Sequence, residues 1–374
     1  MITADAVIVG GGPAGSTAAR QLTQLGADVL VLDKAQFPRN KVCAGWITPA
    51  IVKTLELDLE SYSNQHTLQS ISGFQTSVLG GNETHTGYED TVSYGIRRSE
   101  FDHYLLQRSG ARTITDFHVK AIARKQNGFV INNEIETPLL IGAGGHACPV
   151  SRFIGNRPGK HESVVSAQEI EFKLTPQQLS QCKVEGLRPE LYFCRDLKGY
   201  AWVFRKGDYL NIGLGREDNH QLTKHIADFV HMLTAAGRIP ADIPGRYAGH
   251  AYLLYGHSGR KAIDDGVLLM GDALGLAYPQ SGEGIRPAIE SAVLASTVIA
   301  GSQGVYNKGQ LSAYEDRIKQ RFGSVSSTQA QWMPARIKYW LARQIVANPW
   351  FARHVVIDKW FLHRAQPALP AAHA

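Results

Sequence analysis

The chain has 374 residues, 44% of them hydrophobic, and 39 Lys and Arg against 33 Asp and Glu leave a formal charge of +6. That length suggests more than one domain or one elaborate domain. With no long Lys/Arg run in the first 330 residues and no zinc-finger or helix-turn-helix pattern, no nucleic-acid partner is expected.

Cys43, Cys148, Cys182 and Cys194 show no C-x-x-C spacing, and no signal peptide is evident, so neither a metal site nor a disulfide framework is expected. A reducing cytoplasm is the expected location, and no apolar stretch reaches membrane-spanning length.

In chain order, Ala6 to Val9 read as a buried parallel strand, and Ser16 to Leu25 carry helical spacing. Between them stands Gly10-x-Gly12-x-x-Gly15. The first glycine permits the tight turn, the second lets a pyrophosphate approach the backbone, and the third lets helix and strand pack closely. Free N–H groups at the helix start then face the phosphates. Asp33 ends the second strand, "DVLVLD", where its carboxylate can accept from a ribose hydroxyl. Ala14 in the turn and Lys34 after Asp33 are counted with this cofactor site.

The next segments include "VKAIAR", "FVINN" and "PLLIGAGG", read as a meander with an Asn127-Gly128 hairpin turn. "YAWVF" and "YLNIGLG" alternate like antiparallel strands, and "HIADFVHMLTAAG" reads as a helix stopped by Gly237. Tyr200, Trp202 and Phe204 share one strand face, which forms either a pocket wall or ordinary core packing.

"GVLLMGDALG" then places a strand before Gly271 and Asp272, from which the aspartate can reach the ribityl hydroxyls of a flavin. Gly282, Gly284 and Ile285 open a helix whose positive end would face the flavin's pyrimidine edge. This second glycine segment favours FAD over NAD. His146, Tyr94 and Glu283 lie in the same segments without an assignable role.

From about residue 325 the chain carries four of the six tryptophans and six Lys/Arg against one acid. Met333, Ile337, Trp340, Leu341 and Ile345 recur at helical spacing beside Arg336 and Arg343. Such a stripe either covers a core or makes a peripheral contact with a membrane. The last ten residues, "AQPALPAAHA", are expected to be loose.

The first glycine motif, "YGIRRSEFDHYLL" and "GDALGLAYPQSGEGI" resemble, in order, the three FAD-contacting segments of the p-hydroxybenzoate hydroxylase-like flavoproteins. That likeness implies that Arg98, which opens R-x-x-F-D-x-x-L, lies near FAD. "FPRNKVCAGWITP" and "GYAWVFRKGDYLNIGLG" are in turn similar to the cysteine loop and aromatic strand of the geranylgeranyl reductase family. The resemblance covers roughly residues 1 to 300. It implies an α/β fold with a Rossmann-type FAD-binding domain (parallel sheet and β-meander), an antiparallel-sheet substrate domain and a helical C-terminal tail.

The corresponding boundaries are 1–50, 94–160 and 262–300 for the discontinuous FAD-binding domain, 51–93 and 161–261 for the substrate domain, and 301–374 for the C-terminal helical region. The implied activity is reduction of C=C bonds in an isoprenoid or other hydrophobic or lipid substrate. Cys43 would donate a proton, and Trp46, Tyr200, Trp202 and Phe204 would line the substrate pocket. NAD(P)H, another external donor or a redox partner protein would supply the electrons.

The alternatives are a flavin monooxygenase of the aromatic hydroxylase or halogenase type, and a flavin-binding protein that acts through partners without turnover. The halogenase W-x-W-x-I-P signature is absent. Where the superfamily often carries G-A-D-G this chain has Gly144 at the aspartate position, which weakens NADPH as direct reductant. Arg205 replaces the family's proline, and Trp46 follows the cysteine loop, where it narrows the expected pocket.

Overall fold

The structure is a computed structural model that describes residues 1–156, 162, 164–218, 221–257, 259–323, 344 and 347–371. Two large sheets organise it. The first has six strands in the order Ile263–Asp264, Val267–Leu269, Leu139–Gly142, Ala6–Val9, Val29–Leu32, Arg112–Ile114, parallel except at the Ile263–Asp264 edge. Its central strands are apolar and buried along their whole length, the pattern of a parallel sheet covered on both faces. Helices Pro13–Gln24 and Ile285–Gly301 pack against each other, and both contribute to this core.

A smaller sheet runs Ile2–Thr3, Ile135–Thr137, Gly128–Ile131, Ile122–Lys125, and Phe129, Ile131 and Ile135 enter the same core. Two expectations are corrected here. The third meander strand is Ile135–Thr137, whereas Leu139–Gly142 crosses into the parallel sheet; Pro138, which lacks an N–H, marks the break. The hairpin turn falls on Gln126-Asn127, because Lys125 pairs with Gly128. Gly128 has φ +139, and a Cβ there would fall 2.2 Å from the Thr137 carbonyl oxygen.

The second sheet has seven strands in the order Ala248–Leu253, Val164–Lys173, Tyr209–Arg216, Gly199–Lys206, Glu190–Phe193, Gly73–Val78, Thr84–Gly87. It is antiparallel apart from the Glu190–Phe193 pairing with Gly73–Val78. Helix Leu222–Ala235 buries Ile226, Phe229 and Leu233 with Leu210, Ile212 and Val203 of this sheet, and Gly237 follows it at φ +62.

Beyond helix Lys308–Phe322, the expected stripe of Met333, Ile337, Trp340, Leu341 and Ile345 with Arg336 and Arg343 lies outside the described residues. The helical stretch Ala352–Phe361 buries Val356, Ile357 and Phe361 in the cluster that holds Trp46 and Trp202. The expectation of a loose end is corrected for residues 365–371. Arg286 Nη2 donates to the Gln366 carbonyl at 2.9 Å, Arg321 Nη2 to the Pro367 carbonyl at 2.8 Å, and Leu369 N to Thr54 Oγ1 at 3.1 Å. Arginines held at a buried site need acceptors, and the tail's carbonyls supply them.

Candidate active site

A cavity of about 880 Å³ opens where the parallel sheet, the seven-stranded sheet and the loop after Asp33 meet. The glycine turn forms one end. Gly10 has φ +115 and would place a Cβ 2.4 Å from the Ala143 carbonyl oxygen, while a Cβ on Gly15 would fall 1.8 Å from the Gly10 carbonyl oxygen. Neither position admits a side chain. Gly12 and Ala14 line the cavity beside them.

Asp33 Oδ2 accepts the Gly11 N–H at 2.7 Å and Oδ1 accepts the Ala35 N–H at 2.8 Å. The residue assigned to a ribose therefore also braces the turn, and each carboxylate oxygen keeps a lone pair for a further donor. Lys34 lines the same end and is exposed.

Arg98 is buried and holds Asp102 through two bonds of 2.8 Å, Nε to Oδ1 and Nη2 to Oδ2. Burial opposes its charge, but Asp102 and then Cys43 outweigh that and raise its pKa. Arg39 meets the same Asp102 at 3.2 Å, and its Nη2 lies 3.4 Å from where a Gly12 Cβ would stand. Two guanidinium groups thus share one carboxylate beside the turn. Sequence reading passed over Arg39 although it stands in the quoted "FPRNKVCAGWITP"; an arginine two residues after a phenylalanine carries no local sign of its direction.

The second glycine segment meets the first in space. A Cβ on Gly271, φ +54, would lie 3.1 Å from Ala288 Cβ and 3.4 Å from Ala14 Cβ. Asp272 lines the cavity, with its Oδ2 3.7 Å from His250 Nε2. Burial pushes the Asp272 carboxyl up, but the nearby His250 ring and the Lys41 charge hold it below its ordinary value. Lys41 Nζ lies 2.7 Å from His250 Nε2, and burial lowers the lysine to about 8. Lys41 and His250 were not anticipated, since they reach Asp272 from a loop and from the other sheet.

Gly282, φ +67, leaves room for Tyr252, whose hydroxyl would be 2.3 Å from an added Cβ. Gly284 caps the helix that Ile285 begins, and both line the cavity. The helix's unpaired N–H groups and positive end are thereby placed at the wall. Glu283 lies between the two glycines; both its carboxyl oxygens are buried without a hydrogen-bond partner, and burial raises the group to about 8 against the pull of Arg286.

Trp46, Tyr200 and Trp202 line the opposite wall. Trp202 Nε1 donates to Asn211 Oδ1 at 2.7 Å, and the Tyr200 hydroxyl donates to the Ser281 carbonyl at 2.6 Å, which ties the aromatic strand to the glycine segment. Phe204 is a correction: it does not line the cavity. It is fully buried, and its ring occupies the space above Gly95, where a Cβ would fall 2.3 Å from it. Cys43 lines the cavity between this wall and Arg98, as do Gly144 and His146, whose pKa burial and Arg260 lower. Tyr94 stays in strand Ser93–Ile96, away from the lining.

The donor set fits FAD: side-chain-free turns for a pyrophosphate, two guanidinium groups beside them, a carboxylate at each end and a helix start facing the cavity. Among the described residues no group of three or more His, Cys, Asp or Glu is placed to hold a metal ion.

A family model described as an FAD binding domain matches residues 3–327. The digeranylgeranylglycerophospholipid reductase of Methanococcus vannielii is 28% identical over 85% of this chain and 82% of its own. The menaquinone reductase of Mycobacterium tuberculosis is 29% identical over 79% and 76%. Among solved structures, a geranylgeranyl bacteriochlorophyll reductase-like protein of Thermoplasma acidophilum superposes with a TM-score of 0.74 at 21% identity, over 92% of this chain and 88% of that one. PqsL of Pseudomonas aeruginosa, bound to 2-aminobenzoylacetate, gives 0.68 at 16% identity, over 87% and 94%. At those identities the two structures speak for the fold.

Proposed function

The chain belongs to the FAD binding domain family, and we propose that it is an FAD-dependent oxidoreductase of the geranylgeranyl reductase-like kind that reduces C=C bonds of an isoprenoid or other hydrophobic molecule. The observation that carries this reading is a single cavity lined both by the glycine turns and by Trp46, Tyr200, Trp202 and Cys43. The names of the reductases similar to it support a hydrophobic substrate.

In this reading the Gly10–Gly15 turn, with Arg39 and Arg98, would receive the pyrophosphate, Asp33 the ribose and Asp272 the ribityl chain. Gly282, Gly284 and Ile285 would leave space for the ring and present the helix's positive end to it. Reduced FAD, when bound, supplies the hydride from N5. The aromatic wall excludes water and orients the double bond. The Cys43 thiol would give its proton to one carbon of the double bond, and the sulfur would regain a proton from solvent.

The electron pair comes from NAD(P)H, another external donor or a redox partner protein; Gly144 leaves out a carboxylate from the superfamily's G-A-D-G segment, which weakens the case for NADPH as direct reductant. Among the described residues no helix is long and apolar enough to cross a membrane; this reading includes a peripheral contact with a lipid phase through the C-terminal region.

The test is anaerobic. The flavoprotein is photoreduced and its reoxidation followed, first with prenylated lipids and then with air plus aromatic acids. Reoxidation by the lipid with loss of its double bond is expected; a hydroxylated acid would make the protein a monooxygenase. Indifference to both would make it a flavin-binding protein without turnover.

A further inference from the structure

The loop carrying Cys43 is held by the face of the seven-stranded sheet that also carries Trp202 at the cavity wall, further along the strands. Glu169 accepts the Cys43 backbone N–H. Asn211 Nδ2 donates to the Cys43 carbonyl at 3.2 Å, and Lys206 Nζ donates to the Ala44 carbonyl at 2.9 Å. Lys206 is fully buried; its other bonds run to the Ile96 carbonyl at 2.9 Å and to Glu171 Oε1 at 2.7 Å. Glu171 also accepts from Arg97 Nε and Asn211 Nδ2, each at 3.3 Å.

Gly45, φ +70, lies directly on the lysine: a Cβ there would fall 2.7 Å from its Nζ and 2.4 Å from the Ile96 carbonyl oxygen. Glu169, Glu171, Lys206 and Asn211 do not line the cavity, whereas Cys43, Ala44 and Gly45 do. A buried ammonium is a costly way to stabilise a sheet, and apolar residues of the same volume often do as well. The feature that apolar residues could not reproduce is the set of directional bonds to the peptide groups on both sides of Cys43.

We propose that Glu169, Asn211 and Lys206 are positioning residues that grip the Cys43–Ala44 backbone and hold the Cys43 thiol beside Arg98 at the cavity wall. The consequence for turnover rests on the reading of Cys43 as proton donor; the grip itself does not. Burial pushes the Glu169 carboxyl up to about 8, with Lys206 opposing and Glu171 reinforcing. A neutral acid accepts an N–H through its carbonyl oxygen, as an amide does, so glutamine is the faithful replacement.

The test follows alkylation of Cys43 by iodoacetamide at pH 7, with the labelled cysteine assigned by peptide mapping because Cys182 is also partly accessible. Glu169→Gln is expected to label within twofold of the native rate, and Glu169→Leu at least tenfold faster as the loop comes free. Asn211→Ala, which releases the carbonyl side, is expected to label at least fivefold faster and decides the matter if the leucine variant does not fold. Native labelling rates in correctly folded Glu169→Leu or Asn211→Ala, or a glutamine variant that labels as fast as the leucine one, would overturn the proposal. Turnover is read separately: a Cys43→Ser protein that keeps its rate removes Cys43 as proton donor and leaves the labelling result standing.

Discussion

Single residues at the cavity carry pH dependence that burial explains. Glu283 is raised to about 8 in the folded protein, above an unfolded value near 4.5, because burial disfavours its charged form, with Arg286 opposing. The folded state then binds the proton more tightly, so this group's contribution to stability is full below about pH 4.5 and falls as pH rises to 8. Glu283→Gln carries no proton to lose. In the cofactor-free protein its melting temperature should exceed the native one by a margin that grows from pH 5 to pH 8 and then levels, at roughly 1.4 kcal/mol per pH unit at most. A margin independent of pH would contradict this.

His363 runs the other way. Stacked on Tyr278 with ring centroids 3.7 Å apart and facing Arg286 and Arg321, it is lowered to about 4 by burial first and the arginines next. Its contribution is full above the unfolded value near 6.5 and is lost as pH falls toward 4. Melts from pH 7 to pH 4 should therefore decline less steeply for His363→Leu than for the native chain.

At the scale of elements, helix Ile285–Gly301 has two duties. Its start faces the cavity, and its first turns carry Arg286 and Glu290, fully buried and paired at 2.8 Å, with Arg321 on Glu290 as well. Arg286 also reaches the carbonyls of Leu362 and His363 at 3.4 Å each and of Gln366 at 2.9 Å, so the helix holds the C-terminal segment in place. Removing one partner of a buried pair costs about 3–5 kcal/mol. Arg286→Leu should destabilise by about that amount, and limited proteolysis should cut after residue 362 at protease levels that leave the native chain intact. The pair is readable as Arg and Glu four apart on a helix. Its burial is not, because the segment that covers it arrives from more than seventy residues away.

For the whole molecule, the cavity is lined by residues of both large sheets, which have no strand in common, so a ligand spanning the glycine turns would bridge them. FAD at a hundredfold excess over its Kd should stabilise the protein by about 2.7 kcal/mol, seen as a rise in Tm. Gly282→Ala, whose methyl would meet the Tyr252 hydroxyl, should lose most of that rise.

The glycine turns, the strand runs before them, Asp33 at its strand end and the paired strands around Tyr200 were legible in the chain, because each depends on residues within a few positions of one another; FAD was legible because a second glycine segment with its own local pattern stands beside the first. The placement of Phe204 above Gly95, the Lys41–His250–Asp272 contact, the Arg39–Asp102–Arg98 cluster and the tied C-terminus were not. Side-chain period names a face but not what the fold lays upon it, and those contacts exist only once two sheets and a distant helix have packed together.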